Sequence, residues 1–265
     1  MVRLQLPVPS GFTCTIDSCQ EYYQFKEHTN GENTLPHHFL QELKSAVQDL
    51  EHSTGRCFGV STSEDLKKAK ASTTADFPLL LSVRGSVAHS MPVTMDTVLN
   101  LGVNDRAIAQ IVSATKNPSF AFDIHRRFLQ MFGTIVLGLD KSVFESMESE
   151  FRTRRGILKN SELSPADLQE IIASFKSVVV VPDDPWDQLT MTVIALFESW
   201  YSPRAVNYGD IHNIPDNVGT GIIVQSMVYG NMNARSGSGI CFTRNPSTGE
   251  KVFLGEYLMN SEGRL

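Results

Sequence analysis

Three features of this 265-residue sequence predict a mixed α/β (α+β) fold. Apolar residues recur at helical spacing in residues 35–52 (Phe39, Leu40, Leu43, Val47, Leu50) and 120–135 (Phe120, Ile124, Phe128, Met131, Ile135). The apolar run 77–83, Phe-Pro-Leu-Leu-Leu-Ser-Val, is short and ends β-branched, as a buried strand does. From Gly219 the apolar period changes to two and three short strands follow.

Taken in order, residues 35–52 form the first helix. Residues 53–76, rich in Ser, Thr, Lys and Ala, read as a variable surface connection. The strand over 77–83 leads into a Gly- and Ser-rich turn that carries Arg84. Residues 105–200 are mostly helical. A helix starts at Ser164-Pro165, where a Ser cap precedes Pro at the first helical position. Another amphipathic helix runs over 186–200, with Pro203 just past its end. No internal repeat or low-complexity segment interrupts this order. Three parts are expected: residues 1–104 and 201–265 as two portions of one α/β domain, the second truncated, and 105–200 as a helical subdomain.

Composition narrows the function classes. Hydrophobic residues make up 41% and charged residues 20%, an ordinary globular balance. A net charge of −6 argues against an electrostatic nucleic-acid footprint. No apolar run reaches the length of a membrane span, and no targeting signal is visible, so an intracellular, cytoplasmic or organellar location is expected. The four cysteines, Cys14, Cys19, Cys57 and Cys241, lack Cys-x-x-Cys spacing and read as reduced thiols.

Two places could carry chemistry. Arg84 follows an apolar strand, where a guanidinium offers planar bidentate donors to phosphate oxygens; a surface pair with a carboxylate is the other reading. Ser-Gly-Ser-Gly (236–239) can bring backbone N–H groups close to a phosphate, because Gly has no Cβ to obstruct approach. The same four residues also read as an ordinary hairpin loop.

The wording of several blocks is more specific. Val-Gln-Ser-Met-Val-Tyr-Gly-Asn (224–231), Gly-Ile-Cys-Phe-Thr-Arg-Asn-Pro-Ser-Thr-Gly-Glu (239–250) and Gly-Glu-Tyr-Leu-Met-Asn (255–260) resemble the nucleotide-binding region of pyruvate, phosphate dikinase. So does the stretch 82–105, which opens Ser-Val-Arg-Gly-Ser. Smaller matches lie at 7–13, 122–128 and 199–205, in family order. The resemblance implies an incomplete ATP-grasp-like domain with a helical insert, and a nucleotide held in a cleft between two subdomains. It implies ATP contacts from Arg84 to the phosphates, from Gln225 to Val228 along the adenine, with Met227 and Val228 packing its face, and from Gly237, Ser238 and Gly239 over the phosphates. Glu256 would orient a ribose or a Lys, or else sit in a surface salt bridge.

The sequence also departs from the family. Gly85-Ser86-Val87 stands where Ser-Gly-Ala is usual, Val93 replaces a Gly, and Tyr208-Gly209 replaces Tyr-Arg. The ATP-contacting Lys of an upstream Gly-Gly-Lys-Gly segment and the carboxylates that hold Mg²⁺ are expected to lie outside this chain, with the phosphohistidine domain and the pyruvate site. His89, His125 and His212 are read as structural or surface residues, and Arg126-Arg127 as an ion pair between helices. The chain is thus expected to be the ATP-binding portion of a phosphotransferase that converts pyruvate to phosphoenolpyruvate through a phosphohistidine, without full activity alone. The alternatives are a non-catalytic module that binds a full-length dikinase subunit or self-associates, and a fragment of a phosphoenolpyruvate synthase.

Overall fold

The computed structural model describes residues 2–29, 31–59, 77–87, 96–159, 162–214 and 219–262. Most of the connection expected over 53–76, and the positions of His89 and Val93, lie outside the described residues.

The fold is a mixed α/β one. A strand β1 (Gly11–Cys14) leads into α1 (Ile16–His28) and α2 (His37–Thr54). Strands β2 (Leu81–Ser86) and β3 (Thr97–Leu101) precede the helices α3 (Asp105–Thr115), α4 (Pro118–Met131), α5 (Lys141–Arg155), α6 (Pro165–Lys176), α7 (Pro185–Glu198) and α8 (Pro203–His212). Strands β4 (Gly221–Ser226), β5 (Gly237–Phe242) and β6 (Leu254–Met259) close the described chain.

Local chemistry explains most boundaries. Four helices open with a polar cap and then Pro: Asn117-Pro118, Ser164-Pro165, Asp184-Pro185 and Ser202-Pro203. The cap side chain accepts from an N–H that has no partner inside the helix, and Pro lacks the N–H that would otherwise be orphaned there. At Ser164 the box is complete, since Asp167 accepts the Ser164 backbone N–H in return. Pro203 therefore opens a helix as well as standing past the end of another. The helix expected over 120–135 is α4 followed by one π turn, Phe132–Val136. Gly133 sits in that turn with Phe144 so close that a Cβ would meet its ring at 2.6 Å.

Sheet order is β1-β4-β2-β3, antiparallel throughout. Side chains alternate across it. Cys14, Leu81, Val83, Val98, Ile222 and Val224 point to the buried face, where they pack with Tyr22, Phe39, Val47, Phe128, Val193 and Phe197 from the helices. The main core thus draws on all three stretches of the chain. A second cluster, with Leu129, Phe144, Phe151, Leu168, Ile171 and Phe175, joins the end of α4 to α5 and α6. β5 and β6 form a separate two-stranded sheet, and every residue of β6 is exposed.

Candidate functional site

The sheet's other face is open. Arg84 lies within β2, paired with Ile223 on one side and Thr97 on the other. This corrects the expectation that it follows the strand on a turn. The apolar run begins earlier than the strand does: Leu79 makes a parallel bridge to Phe58, and the antiparallel ladder starts at Leu81. The ladder then continues through Ser86, because Ile222 and Ile223 of the central strand pair with Gly85 and Arg84. Alternation turns Arg84 away from the core. Its side chain is exposed and makes no hydrogen bond or ion pair among the described residues. The surface salt bridge that was its other reading is therefore not among its described contacts.

Gln225 shares the open face. It pairs with Ser82 and Gly11, so it stands diagonally from Arg84, a separation of roughly 7–8 Å in antiparallel pairing. Its Nε2 donates to the Pro9 carbonyl at 2.9 Å. Because β4 is central, its backbone is occupied by β1 and β2. At its end, the Ser226 and Met227 amides donate to the Ser10 and Leu80 carbonyls at 2.9 Å each. Those two N–H groups are therefore spent within the sheet and are not available to an adenine edge. Val228 is different: it is 70% exposed, and its backbone has no partner among the described residues. Met227 is half-buried against the main core, so Val228 is the freer of the two apolar groups. Tyr229 ties the chain after Val228 to the core, edge-on to Phe120 at 5.2 Å and donating to Asn100 at 3.3 Å.

Gly237, Ser238 and Gly239 lie in strand β5, opposite Met259, Leu258 and Tyr257. They are strand residues rather than an open loop. The glycines have a structural reason: a Cβ at Gly237 would meet the Leu258 carbonyl at 2.8 Å, and one at Gly239 the Glu256 carbonyl at 2.6 Å. Ser238 donates to the Ser261 carbonyl at 2.7 Å. Glu256, opposite Ile240, is exposed and has no ion-pair partner among the described residues. Arg84 and Gln225 thus share one sheet, while Gly237, Ser238, Gly239 and Glu256 belong to another.

Sequence reasoning missed the polar seam that holds the second sheet. Arg127 pairs with Asp123 (2.7 Å) and with Glu262. Asn231 donates to Glu262 at 3.0 Å. Burial raises the Glu262 pKa, and the Arg127 charge opposes that rise. Arg126 bridges α4 to α5 through Glu148 at 3.1 Å, as its pairing role predicted. No single motif announces Glu262, since it meets Arg127 only after the chain has folded. Just before β3, desolvation raises the Asp96 pKa, and the charge of Arg204 opposes that rise.

His125 is buried on α4, and desolvation pushes its pKa down to about 4. His212 stacks on Tyr208 with ring centroids 4.1 Å apart. Among the described residues no group of three or more His, Cys, Asp or Glu could hold a metal ion, and no helix is long and apolar enough to cross a membrane.

Comparison with known proteins gives one consistent result. A family model described as pyruvate phosphate dikinase, AMP/ATP-binding domain, matches residues 1–261. The chain is 40% identical over 268 residues to a pyruvate, phosphate dikinase of Rickettsia bellii and 40% identical over 270 residues to that of Clostridium symbiosum. It is 39% identical over 269 residues to the chloroplastic enzyme 1 of Oryza sativa. Each match covers 99% of this chain but only 28%, 29% and 26% of the relative.

Proposed function

Because this chain belongs to the pyruvate phosphate dikinase AMP/ATP-binding domain family, we propose that it holds ATP against the open face of its four-stranded sheet. The observation that carries this reading is Arg84: an exposed guanidinium without a described partner, on a central strand whose backbone is fixed on both sides. A rigid strand presents the fork without the ordering cost a loop would incur, and a planar fork matches two phosphate oxygens. Gln225 stands next along the face. Val228 comes after it with an N–H and a carbonyl that have no partner among the described residues and with an exposed apolar side chain, the groups that read an adenine edge and cover its ring. Met227 backs that position from the core.

The hairpin is the second wall of this reading, in an ATP-grasp-like cleft. The paired backbone of Gly237, Ser238 and Gly239 limits it to outward-facing groups, and Glu256 is the acceptor it offers to a ribose hydroxyl. Bound ATP supplies the phosphoryl group. The residues of this chain bind and orient it, and no role for Mg²⁺ is assigned to them. In the longer dikinases, this nucleotide would drive phosphorylation of a His outside this chain and then phosphoenolpyruvate formation from pyruvate.

Calorimetric titration tests the site. Arg84→Lys keeps the charge and loses the bidentate geometry. It should weaken ATP binding about tenfold and leave adenosine binding unchanged, a difference of ~1.4 kcal/mol. Equal losses for both ligands, or none, would remove Arg84 from the site.

One observation favours a second reading, a module that binds a dikinase subunit or another copy of itself. Phe253 and Tyr257 on the hairpin are 73% and 75% exposed, and unpaired strand edges favour association. Sedimentation over a concentration series separates the two readings, since nucleotide binding by a monomer needs no association.

A further inference from the structure

Away from the open sheet face, the two cores meet across α3, α4, α6 and the segment 179–183. Two adjoining hollows lie there, of about 270 and about 600 Å³, and they share Asp105, His125 and Lys176 in their walls. The larger is walled by Ile108, Val112, Phe122 and Ile172, and the smaller by Phe128 and Val179. Small-molecule sites have this size and this character, mainly apolar with a few convergent polar groups.

The polar groups keep unused hydrogen-bonding capacity among the described residues. His125 is 5% exposed, and its imidazole has no hydrogen-bond partner among the described residues. Desolvation keeps it neutral, with one N–H to donate and one nitrogen to accept. Lys176 carries three donors. One goes to Asp105 at 2.8 Å, and the others have no described partner. The Asp105 side chain is 78% exposed, so it holds the ammonium from the solvent side. The walls are preformed. Asn104 caps α3 and donates to the Asp183 carbonyl at 3.1 Å. Buried Gln188 donates to the carbonyls of Val103 (3.0 Å) and Pro182 (2.8 Å).

We propose that this pocket binds a small amphipathic monoanion, with an aryl or short alkyl body in the apolar hollow and a single carboxylate head accepting from Lys176 and His125. The nearby Asp105 carboxylate selects against a multiply charged head such as a nucleotide phosphate, because like charges at this range repel. The site is separate from the sheet face and does not depend on the nucleotide reading. An occupant would touch both cores and hold them in one arrangement.

The test uses the purified chain, 4-phenylbutyrate as the probe and 4-phenylbutan-1-ol as its neutral match, followed by NMR chemical shifts including those of the His125 ring. The carboxylate should bind saturably and about tenfold more tightly than the alcohol. Lys176→Gln should abolish that advantage while leaving the alcohol's affinity unchanged. Ala173→Trp, beside the larger hollow, should weaken both. No saturation up to ~10 mM, equal affinity for the two probes, or an advantage that survives Lys176→Gln would overturn the proposal. Lys176 is partly exposed and its replacement leaves both cores intact, so that variant decides the matter even if Ala173→Trp does not fold.

Discussion

Arg127 on α4 forms an ion pair with Glu262, three residues beyond the end of β6. Among the described residues it is the ion pair that ties the hairpin's end to the helices. The Glu262 side chain is 19% exposed, and burial alone would favour its neutral form.

Removing one partner should therefore cost more than removing both. Arg127→Gln leaves a half-buried carboxylate with only its Asn231 hydrogen bond, and a loss of ~2 kcal/mol is expected at neutral pH, confined largely to the hairpin. Glu262→Gln in the same background should recover most of it. Hydrogen exchange of residues 237–242 and 254–259 is the measurement. Unchanged protection there in Arg127→Gln would show that other contacts hold the hairpin.

Arg126 is more deeply placed, with its side chain 6% exposed and Glu148 9% exposed. Arg126→Met leaves Glu148 without its cation, while Asp123 keeps Arg127, and breaking such a buried pair costs about 3–5 kcal/mol. Urea unfolding should report this as a lower midpoint at constant slope. A loss below ~1 kcal/mol would mean that water reaches the pair.

His125 makes stability depend on pH. Its folded pKa is about 4 against an ordinary 6.5, so between those values the unfolded state binds more protons. Stability contributed by the neutral ring is complete above pH 6.5, falls as pH drops through the window and levels off below about 4. The total is of order 3 kcal/mol. Asp105 and Lys176 face the same ring with opposite effects on it. Asp105, whose pKa is lowered chiefly by the Lys176 hydrogen bond, loses its contribution at still lower pH. Glu262 acts in the opposite direction, since its raised pKa makes it less stabilising as pH rises past its ordinary value. Thermal melts from pH 4 to 7 should slope less steeply in His125→Gln, and an unchanged slope would assign the dependence elsewhere.

Gly239→Ala tests whether β5 is a strand because of its glycines. The added Cβ would meet the Glu256 carbonyl at 2.6 Å and the Tyr257 Cβ at 2.9 Å. The hairpin should lose exchange protection, by about 1–3 kcal/mol, while the main core melts at the same temperature. Full protection in that variant would mean that the pair relaxes and the glycine serves another purpose.

Local signals in the sequence are enough for several elements. The 3.6 period makes α2 and α4 legible, and a cap followed by Pro marks the start of α6; the same signal stands at Asn117, Asp184 and Ser202, where the sequence reading did not use it. The change to period two marks β4, β5 and β6, and the family wording marks the ATP-binding kinship. These depend only on contacts between residues near in sequence. Whether Arg84 sits on a turn or in a strand is not of that kind. It is decided by Ile223, more than a hundred residues away, which extends the ladder to Ser86 and turns the guanidinium onto an open face. Likewise the glycines at 237 and 239 could be a loop or a strand until β6 comes within contact distance. The Arg127–Glu262 pair and the His125–Lys176 pocket exist only because separate helices and strands converge. Burial and pairing across long sequence separations set those features, and a one-dimensional period carries no record of them.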